Sequence, residues 1–208
     1  MIRMYGEVVV GYGAMAWAVD LGRIRGEVGS EDPALAQRYG AAFAERRDEV
    51  QGMIDDVIGD GSVLTLPDVA RHMILGEPYD ERIGFAYGYF LEYLCDVHGA
   101  FLPNPRWMPV PVDWCERVDE VLGGAGLLAE DFSMSDLMFG GAPVPLPRID
   151  GFPGIGYREY GSLEEPAGLL ARVGATDIAE EYQDAAYDVF QWLSEAHDAG
   201  RSVVAFFH

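Results

Sequence analysis

The chain has 208 residues, of which half are hydrophobic and 12% aromatic, a composition typical of folded proteins that excludes an intrinsically disordered chain. Its 35 acidic and 14 basic residues give a formal net charge of -21 at pH 7. So negative a surface repels nucleic-acid phosphates and anionic lipids and attracts basic proteins at long range. The charge therefore argues against nucleic-acid and membrane binding and favours a basic protein as partner.

The first predicted element is a buried strand over residues 12–19. The same apolar region has some features of a secretory signal, but Gly11 and Gly13 interrupt it and Glu7 precedes it. We therefore prefer the strand.

Capping residues then mark the beginnings of three helices. Asp20 is a helix cap directly after the strand, and Asp32-Pro33 places a capping carboxylate before a proline at the first helical position. The helical pattern that follows continues to Gly59, a length that indicates two helices or one bent helix. Thr65 with Asp68 is a capping box for a short third helix.

The segment from Ile83 to Val97 is apolar almost all round and is predicted to be the enclosed central helix. Gly84, Gly88 and Glu92 recur every four residues along it and form one stripe. In a functional interpretation, a ligand lies in the glycine groove and Glu92 acts as an acid, a base or a hydrogen-bond anchor. In a structural interpretation, a neighbouring helix packs on the glycines and Glu92 pairs with an arginine such as Arg82.

Two proline-rich connections, residues 102–112 and 142–156, are predicted to wrap the core as ordered loops. In the first, Asn104 and Trp107 are candidates for a pocket wall, although Trp107 is equally suited to fill the core. The glycine-rich segment 151–156 is interpreted as a turn. The candidate ligand site between the core helix and these loops comprises Arg82, Tyr89, Glu92, Asn104 and Trp107.

The C-terminal half is predicted to hold three further helices, a short capped turn and a closing strand. The strand, residues 202–207, is β-branched and aromatic, and its simplest partner is the N-terminal strand. The three helices are indicated by Asp113 at the start of one, by the capping box of Ser162 with Glu165, and by Asp177 followed by Glu180. The capped turn is the segment 133–139. The predicted fold class is α+β, a mostly helical single domain spanning residues 1–208 with a small sheet that pairs the terminal strands.

Catalytic and metal-binding motifs are not recognisable in the sequence. Cys95 and Cys115 are predicted to be buried thiols, because they have neither CxxC nor metal-ligand spacing. Glu92, Cys95 and His98 wind around their helix, and the other histidines are dispersed. We therefore expect no metal and no cofactor, and no catalytic residue can be assigned.

Several segments resemble an uncharacterised actinobacterial family known only as a domain of unknown function. The resemblance spans most of the chain and is carried by residues 80–89, 94–95, 101–107, 141–147, 152–157 and 200–208. The opening strand and helix, with the closing helix, glycine and strand, are similar to the YfbM-like bacterial proteins, which have an α+β fold. These resemblances imply a bacterial, cytoplasmic, single-domain protein and transfer no activity. Residues 1–11 depart from the family's usual short start, which implies an N-terminal extension or a misplaced start codon.

Two hypotheses about function follow. The first is an acidic, non-enzymatic protein-binding module, immunity-like or antitoxin-like, that neutralises a basic partner. The second is an enzyme or small-ligand-binding protein whose pocket lies between the core helix, residues 83–97, and the proline-rich loops. The net charge favours the first, and the stripe on the core helix motivates the second.

Overall fold

The computed structural model describes residues 2–4, 7–9, 11–59, 64–127, 132–172 and 178–208. They divide into two compact units. The helical unit comprises Asp20–Gly99 and Ala142–Pro153, and the sheet unit comprises Met1–Val19, Ala100–Gly141 and Gly154–His208. The predicted α+β class is confirmed, whereas the expectation of a single domain over residues 1–208 stays a prediction.

The helical unit contains five α-helices among its described residues, joined by short connections and one 3-10 turn at Glu81–Ile83. In chain order the helices are α1 (Leu21–Glu27), α2 (Pro33–Arg46), α3 (Asp48–Ile58), α4 (Leu66–Leu75) and α5 (Gly84–His98).

The helix starts predicted from capping residues are confirmed. Asp20 accepts a hydrogen bond from the Arg23 backbone N–H, and Asp32 accepts from the first turn of α2. At α4, one oxygen of Asp68 accepts from both the backbone N–H and the hydroxyl of Thr65. Each carboxylate satisfies donors that a helix N-terminus otherwise leaves unpaired.

The long pattern up to Gly59 is two helices, α2 and α3, separated at Arg47. The backbone of Arg47 has φ -137° and ψ 45°, outside the helical region, so the α2 hydrogen-bond ladder stops there. Gly59, with φ 73°, follows α3 and ends it. The break places the Arg47 side chain at the junction of the two helices.

α5 is the enclosed helix that its composition predicts. Ten of its residues are buried, including Tyr87, Phe90 and Glu92. Phe90 meets Phe43 of α2 edge to face, with ring centroids 5.2 Å apart. Burying aromatic side chains from both helices removes a large apolar area from water and stabilises their packing.

The sheet unit contains the described strands and the remaining described helices. The strands are β1 (Ile2–Met4), β2 (Glu7–Val9), β3 (Ala14–Val19), β4 (Gly99–Leu102, which begins at the boundary residue Gly99), β5 (Gly154–Arg158) and β6 (Ser202–Phe207). The helices are α6 (Trp114–Gly124), α7 (Met134–Phe139), α8 (Glu164–Leu170) and α9 (Glu180–Asp198).

The two terminal strands pair as predicted. β3 and β6 run antiparallel, with Ala14 opposite Phe207 and Val19 opposite Ser202, in a four-stranded sheet of order β4-β3-β6-β5. β1 and β2 form a separate antiparallel pair. Every residue of β6 is buried, which is expected of a central strand covered on both faces.

Glycines on β5 allow α7 to pack directly on the strand. A Cβ at Gly156 would lie 2.1 Å from the Leu137 carbonyl oxygen, and a Cβ at Gly154 would lie 2.3 Å from the Phe139 ring. Only hydrogen side chains at these positions permit so close an approach. The segment predicted as a turn through Gly156 therefore ends in a strand.

One capping prediction in this unit is wrong. α8 begins at Glu164 and its N-cap is Leu163, not Ser162. The Ser162 hydroxyl instead donates to the Glu159 carbonyl at 2.9 Å, because the residue closes a 3-10 turn before the helix. The predicted helix start at Asp177 lies outside the described residues, and α9 is described from Glu180.

Candidate functional site

Arg82 forms a bidentate pair with Asp80. Its Nε and Nη2 atoms lie 2.9 Å and 2.5 Å from the two Asp80 oxygens, and its side chain is 59% exposed. The hydrogen bonds from Arg82 lower the pKa of Asp80. This carboxylate already occupies the guanidinium that an anionic ligand would need.

Glu92 pairs with Arg47, not with Arg82. The Arg47 Nη2 atom lies 2.7 Å from Glu92 Oε1, and the side chains are 28% and 1% exposed. The Arg47 Nη1 atom also lies 3.6 Å from Oε1 of Glu49 on α3. The Glu92 carboxylate, buried on α5, thus pairs with Arg47 at the junction between α2 and α3. The Arg47 guanidinium compensates the charge of the buried carboxylate.

Tyr89 precedes Glu92 by three residues on α5 and is partly buried. Burial raises its pKa, and the nearby Glu92 charge acts in the same direction, so the phenol stays protonated at neutral pH. The cluster of Arg47, Tyr89 and Glu92 provides hydrogen-bond donors around a buried anion. Such a cluster can anchor helices or orient a polar group.

The glycine groove of α5 is filled at its start. A Cβ at Gly84 would lie 2.2 Å from the Arg148 carbonyl oxygen and 3.5 Å from Ile149 Cα. The proline-rich segment Ala142–Pro153, which belongs to the same unit, therefore packs its backbone against the helix. Here the glycine serves a close approach within the chain.

In the sheet unit, the loop after β4 is fixed to α9. Trp107 is fully buried and donates its indole N–H to the Ala185 carbonyl at 3.0 Å. In the opposite direction, Trp192 donates to the Pro103 carbonyl at 2.6 Å. Arg106 pairs with Asp188 at 2.8 Å. These contacts assign Trp107 a structural role in the core.

Asn104 belongs to the same loop and donates its side-chain amide to the Ala14 carbonyl of β3. Ala14 in turn donates its N–H to the Trp107 carbonyl at 2.9 Å. The predicted residues thus fall into two groups: Arg82, Tyr89 and Glu92 in the helical unit, and Asn104 and Trp107 in the sheet unit. Their assembly into one ligand site stays a prediction.

A cleft in the helical unit contains none of the predicted residues. It lies along α2 and α4, has a volume of ≈ 370 Å³ and is lined mainly by apolar residues, among them Pro33, Ala36, Pro67 and Leu75. Arg71 at its edge already contacts Asp68 at 3.2 Å and Glu77 at 3.4 Å.

The pair His72 and Tyr87 was not singled out from the sequence. The Tyr87 hydroxyl accepts the Asp80 backbone N–H at 2.9 Å and lies 2.8 Å from His72 Nδ1. In the neutral tautomer that is protonated on Nε2, His72 accepts the Tyr87 hydroxyl proton at Nδ1. Tyr79 packs on Tyr87 with ring centroids 4.7 Å apart.

Burial lowers the pKa of His72, and the charge of Arg71 adds to this effect, whereas Asp68, Glu77 and Asp80 oppose it. Burial also raises the pKa of Tyr87 to about 12. Burial therefore favours the neutral form of His72 in the folded state.

We expect His72 to make the protein less stable in mild acid. Its folded pKa lies below the unfolded value of 6.5, so its stabilisation is complete above 6.5 and is lost as the pH falls through the folded pKa. The measurement is urea unfolding of the wild type and of His72→Gln between about pH 7 and about pH 5. The variant keeps an acceptor and should lose less stability over this range; equal losses would contradict the assignment.

A second polar cluster in the helical unit joins α1, α2 and α5. Nε2 of His98 lies 2.6 Å from a Glu27 oxygen and 2.9 Å from the Tyr39 hydroxyl, and that hydroxyl donates to Glu27 at 3.0 Å. The His98 side chain is almost fully buried. No sequence pattern indicates this cluster, since its members are far apart in the chain.

Both cysteines are buried free thiols, as predicted. Burial raises the pKa of Cys95 well above its usual value and that of Cys115 to about 12. Neither is a thiolate at neutral pH, so neither is an activated nucleophile. Among the described residues, no three His, Cys, Asp or Glu side chains are grouped so that they could hold a metal ion.

These observations define an acidic α+β protein whose buried polar residues mostly join its own helices and loops. The chain belongs to the family described as "Domain of unknown function (DUF7691)", whose model matches residues 10–208. This agrees with the resemblance to an uncharacterised family. No curated protein and no solved structure matches the chain. In the described part of the chain, no helix has the length and apolarity needed to cross a membrane.

Proposed function

We propose that the protein is an acidic, non-enzymatic binding module that recognises a basic protein, in the manner of an immunity protein or antitoxin. The observation that carries this proposal is that most arginines pair with carboxylates of the same chain, while carboxylates are in large excess. The arginines mostly pair within the chain, for example Arg47 with Glu92, Arg82 with Asp80 and Arg106 with Asp188. With a net charge of -21, many carboxylates remain for an external partner.

An unbalanced negative surface has two effects on association. It accelerates encounter with a basic partner by electrostatic steering, and it discourages acidic partners through repulsion. The same field repels phosphate groups, which is why the proposed partner is a protein and not nucleic acid or an anionic membrane. The proposal includes a bacterial, cytoplasmic setting, which the resemblance to actinobacterial and YfbM-like proteins supports.

The proposal is tested by capture from a native bacterial lysate, using the purified chain at low and at moderate salt. An unrelated acidic protein of similar size and charge serves as the control. We expect a basic protein that the chain retains, that the control does not retain, and that dissociates as salt increases. Retention of the same proteins by chain and control would contradict the proposal, and so would capture of nothing at either salt concentration.

The alternative function, an enzyme or small-ligand binder that uses Arg82, Tyr89, Glu92, Asn104 and Trp107, has less support. Arg82 is bound to Asp80, Glu92 to Arg47, and Trp107 is fully buried against α9. A ligand would have to displace these contacts. Breaking a buried hydrogen bond or ion pair costs free energy, because a polar or charged group is left without its partner.

A further inference from the structure

The outer face of α3 combines negative charge with exposed apolar side chains. Val50 and Ile54 are buried and fix the inner face. At 100° per residue, Asp56, Glu49 and Met53 follow one another around the exposed side within about 60°, Val57 lies beyond Met53 at the border of the buried face, and Asp48 and Asp55 lie towards the other border. We call these six exposed residues the α3 outer face.

The α3 outer face has four carboxylates, and within the described part of the chain one of them forms an ion pair. This is Glu49, which lies 3.6 Å from Arg47. Asp55 accepts a hydrogen bond from Gln51 at 2.8 Å, which leaves its charge in place. The helix itself contains no basic residue.

The position of two of these carboxylates is unfavourable for the helix alone. Asp55 and Asp56 lie near the C-terminus of α3, where the helix dipole is negative and favours cations. Asp48 and Glu49 in the first turn are in the favourable place. A local cost without compensation inside the chain is characteristic of a functional surface.

The apolar border supplies the second half of the surface. Met53 and Val57 are 38% and 52% exposed and are four residues apart, so they form one continuous ridge. On the side of α3 away from Val50 and Ile54, Gly52 has nothing within 4 Å of the position that a Cβ would occupy, so the backbone is open there. The helix therefore offers apolar contact bordered by negative charge.

We propose that the α3 outer face is the docking surface for a basic amphipathic helix of the partner protein, which rests on the binding function proposed above. Aliphatic residues of that helix, spaced by three or four, cover Met53 and Val57. Its lysines or arginines contact Glu49 and Asp56, which lie beside Met53 around the helix, and Asp55 adds negative charge nearby. This is the helix-on-helix mode of recognition, with charge complementarity fixing the partner's orientation.

The test uses a synthetic helical peptide with leucines on one face and lysines and arginines on the other. It is titrated into the ¹⁵N-labelled full chain, and the amide shifts are followed. We expect the largest shift changes in residues 48–58. A peptide of equal charge with serine in place of each leucine should bind at least about tenfold more weakly. Changes centred on another surface, or no binding, would overturn the proposal.

Variants separate binding from folding. Asp55→Asn with Asp56→Asn should raise the melting temperature while weakening the peptide about tenfold or more, a combination that a purely structural role does not produce. The matched control, Glu116→Gln with Glu120→Gln, removes the same charge from α6 and should leave the affinity within about twofold. Equal weakening by the two pairs would show nonspecific attraction and overturn the proposal.

The same variants distinguish failure of this surface from failure of the function. If the Asp55→Asn, Asp56→Asn chain captures the basic partner from lysate as well as the wild type does, the docking surface is wrong and the binding function stands. If the wild type captures no specific basic protein, the function itself fails.

Discussion

Replacing Trp107 with alanine is expected to lower the free energy of unfolding by about 4 kcal/mol, the scale of a large aromatic truncation in a core. Trp107 is fully buried, and its ring centroid lies 5.9 Å from that of Trp192. The substitution leaves a cavity and removes the indole hydrogen bond to the Ala185 carbonyl. Urea unfolding measures the change directly.

Two neighbouring substitutions serve as controls. Trp107→Phe keeps most of the apolar volume and loses the indole donor, so it should cost less than the alanine variant. Met108→Ala changes an adjacent side chain that is 48% exposed and should stay within about 0.5 kcal/mol of the wild type. An alanine variant at position 107 that retains wild-type stability would restore Trp107 as a candidate binding residue.

Replacing Arg47 with methionine is expected to cost about 3 kcal/mol, because the change leaves the Glu92 carboxylate buried without its guanidinium. Methionine preserves much of the aliphatic stem, which limits the effect to the charge and its hydrogen bonds. The loss should shrink when Glu92 is also replaced by glutamine, since an amide is less costly to bury than an unpaired anion.

The neighbouring Arg46 provides a matched control for this prediction. It pairs with Asp96 at 3.1 Å, but both side chains are more than half exposed. Exposed pairs contribute little, so Arg46→Met should cost less than about 1 kcal/mol. Thermal and urea unfolding of the two single variants give the comparison. Equal losses for Arg46→Met and Arg47→Met would show that burial of Glu92 does not set the energetics.

The elements that the sequence predicted correctly are those defined by local chemistry. A carboxylate at Asp20 or Asp32 caps a helix wherever the helix packs, and the apolar composition of α5 requires enclosure. The pairing of β3 with β6 was also predictable, because both strands are apolar and suited to a buried sheet.

The errors arise where long-range packing decides the structure. β5 overlaps the glycine-rich segment 151–156 that is interpreted as a turn, yet it pairs with β6 as a strand, and α7 packs against its Gly154 and Gly156. The partner of Glu92 was assigned to the nearest arginine along the helix, Arg82. The actual partner, Arg47, is 45 residues away and reaches Glu92 only because the chain breaks between α2 and α3.

The candidate site was predictable only in part for the same reason. The residue types of Arg82, Glu92 and Trp107 marked them as important, but the sequence could not say that each has a partner within its own unit.

Calorimetric titration of the chain with its captured basic partner, at about 0.1 M and about 1 M ionic strength, tests the binding function most directly, since the screening length falls from about 10 Å to about 3 Å. We predict that the affinity decreases steeply with salt and that the Asp55→Asn, Asp56→Asn variant shows a weaker salt dependence. An affinity unchanged by salt would contradict the role proposed for the negative surface.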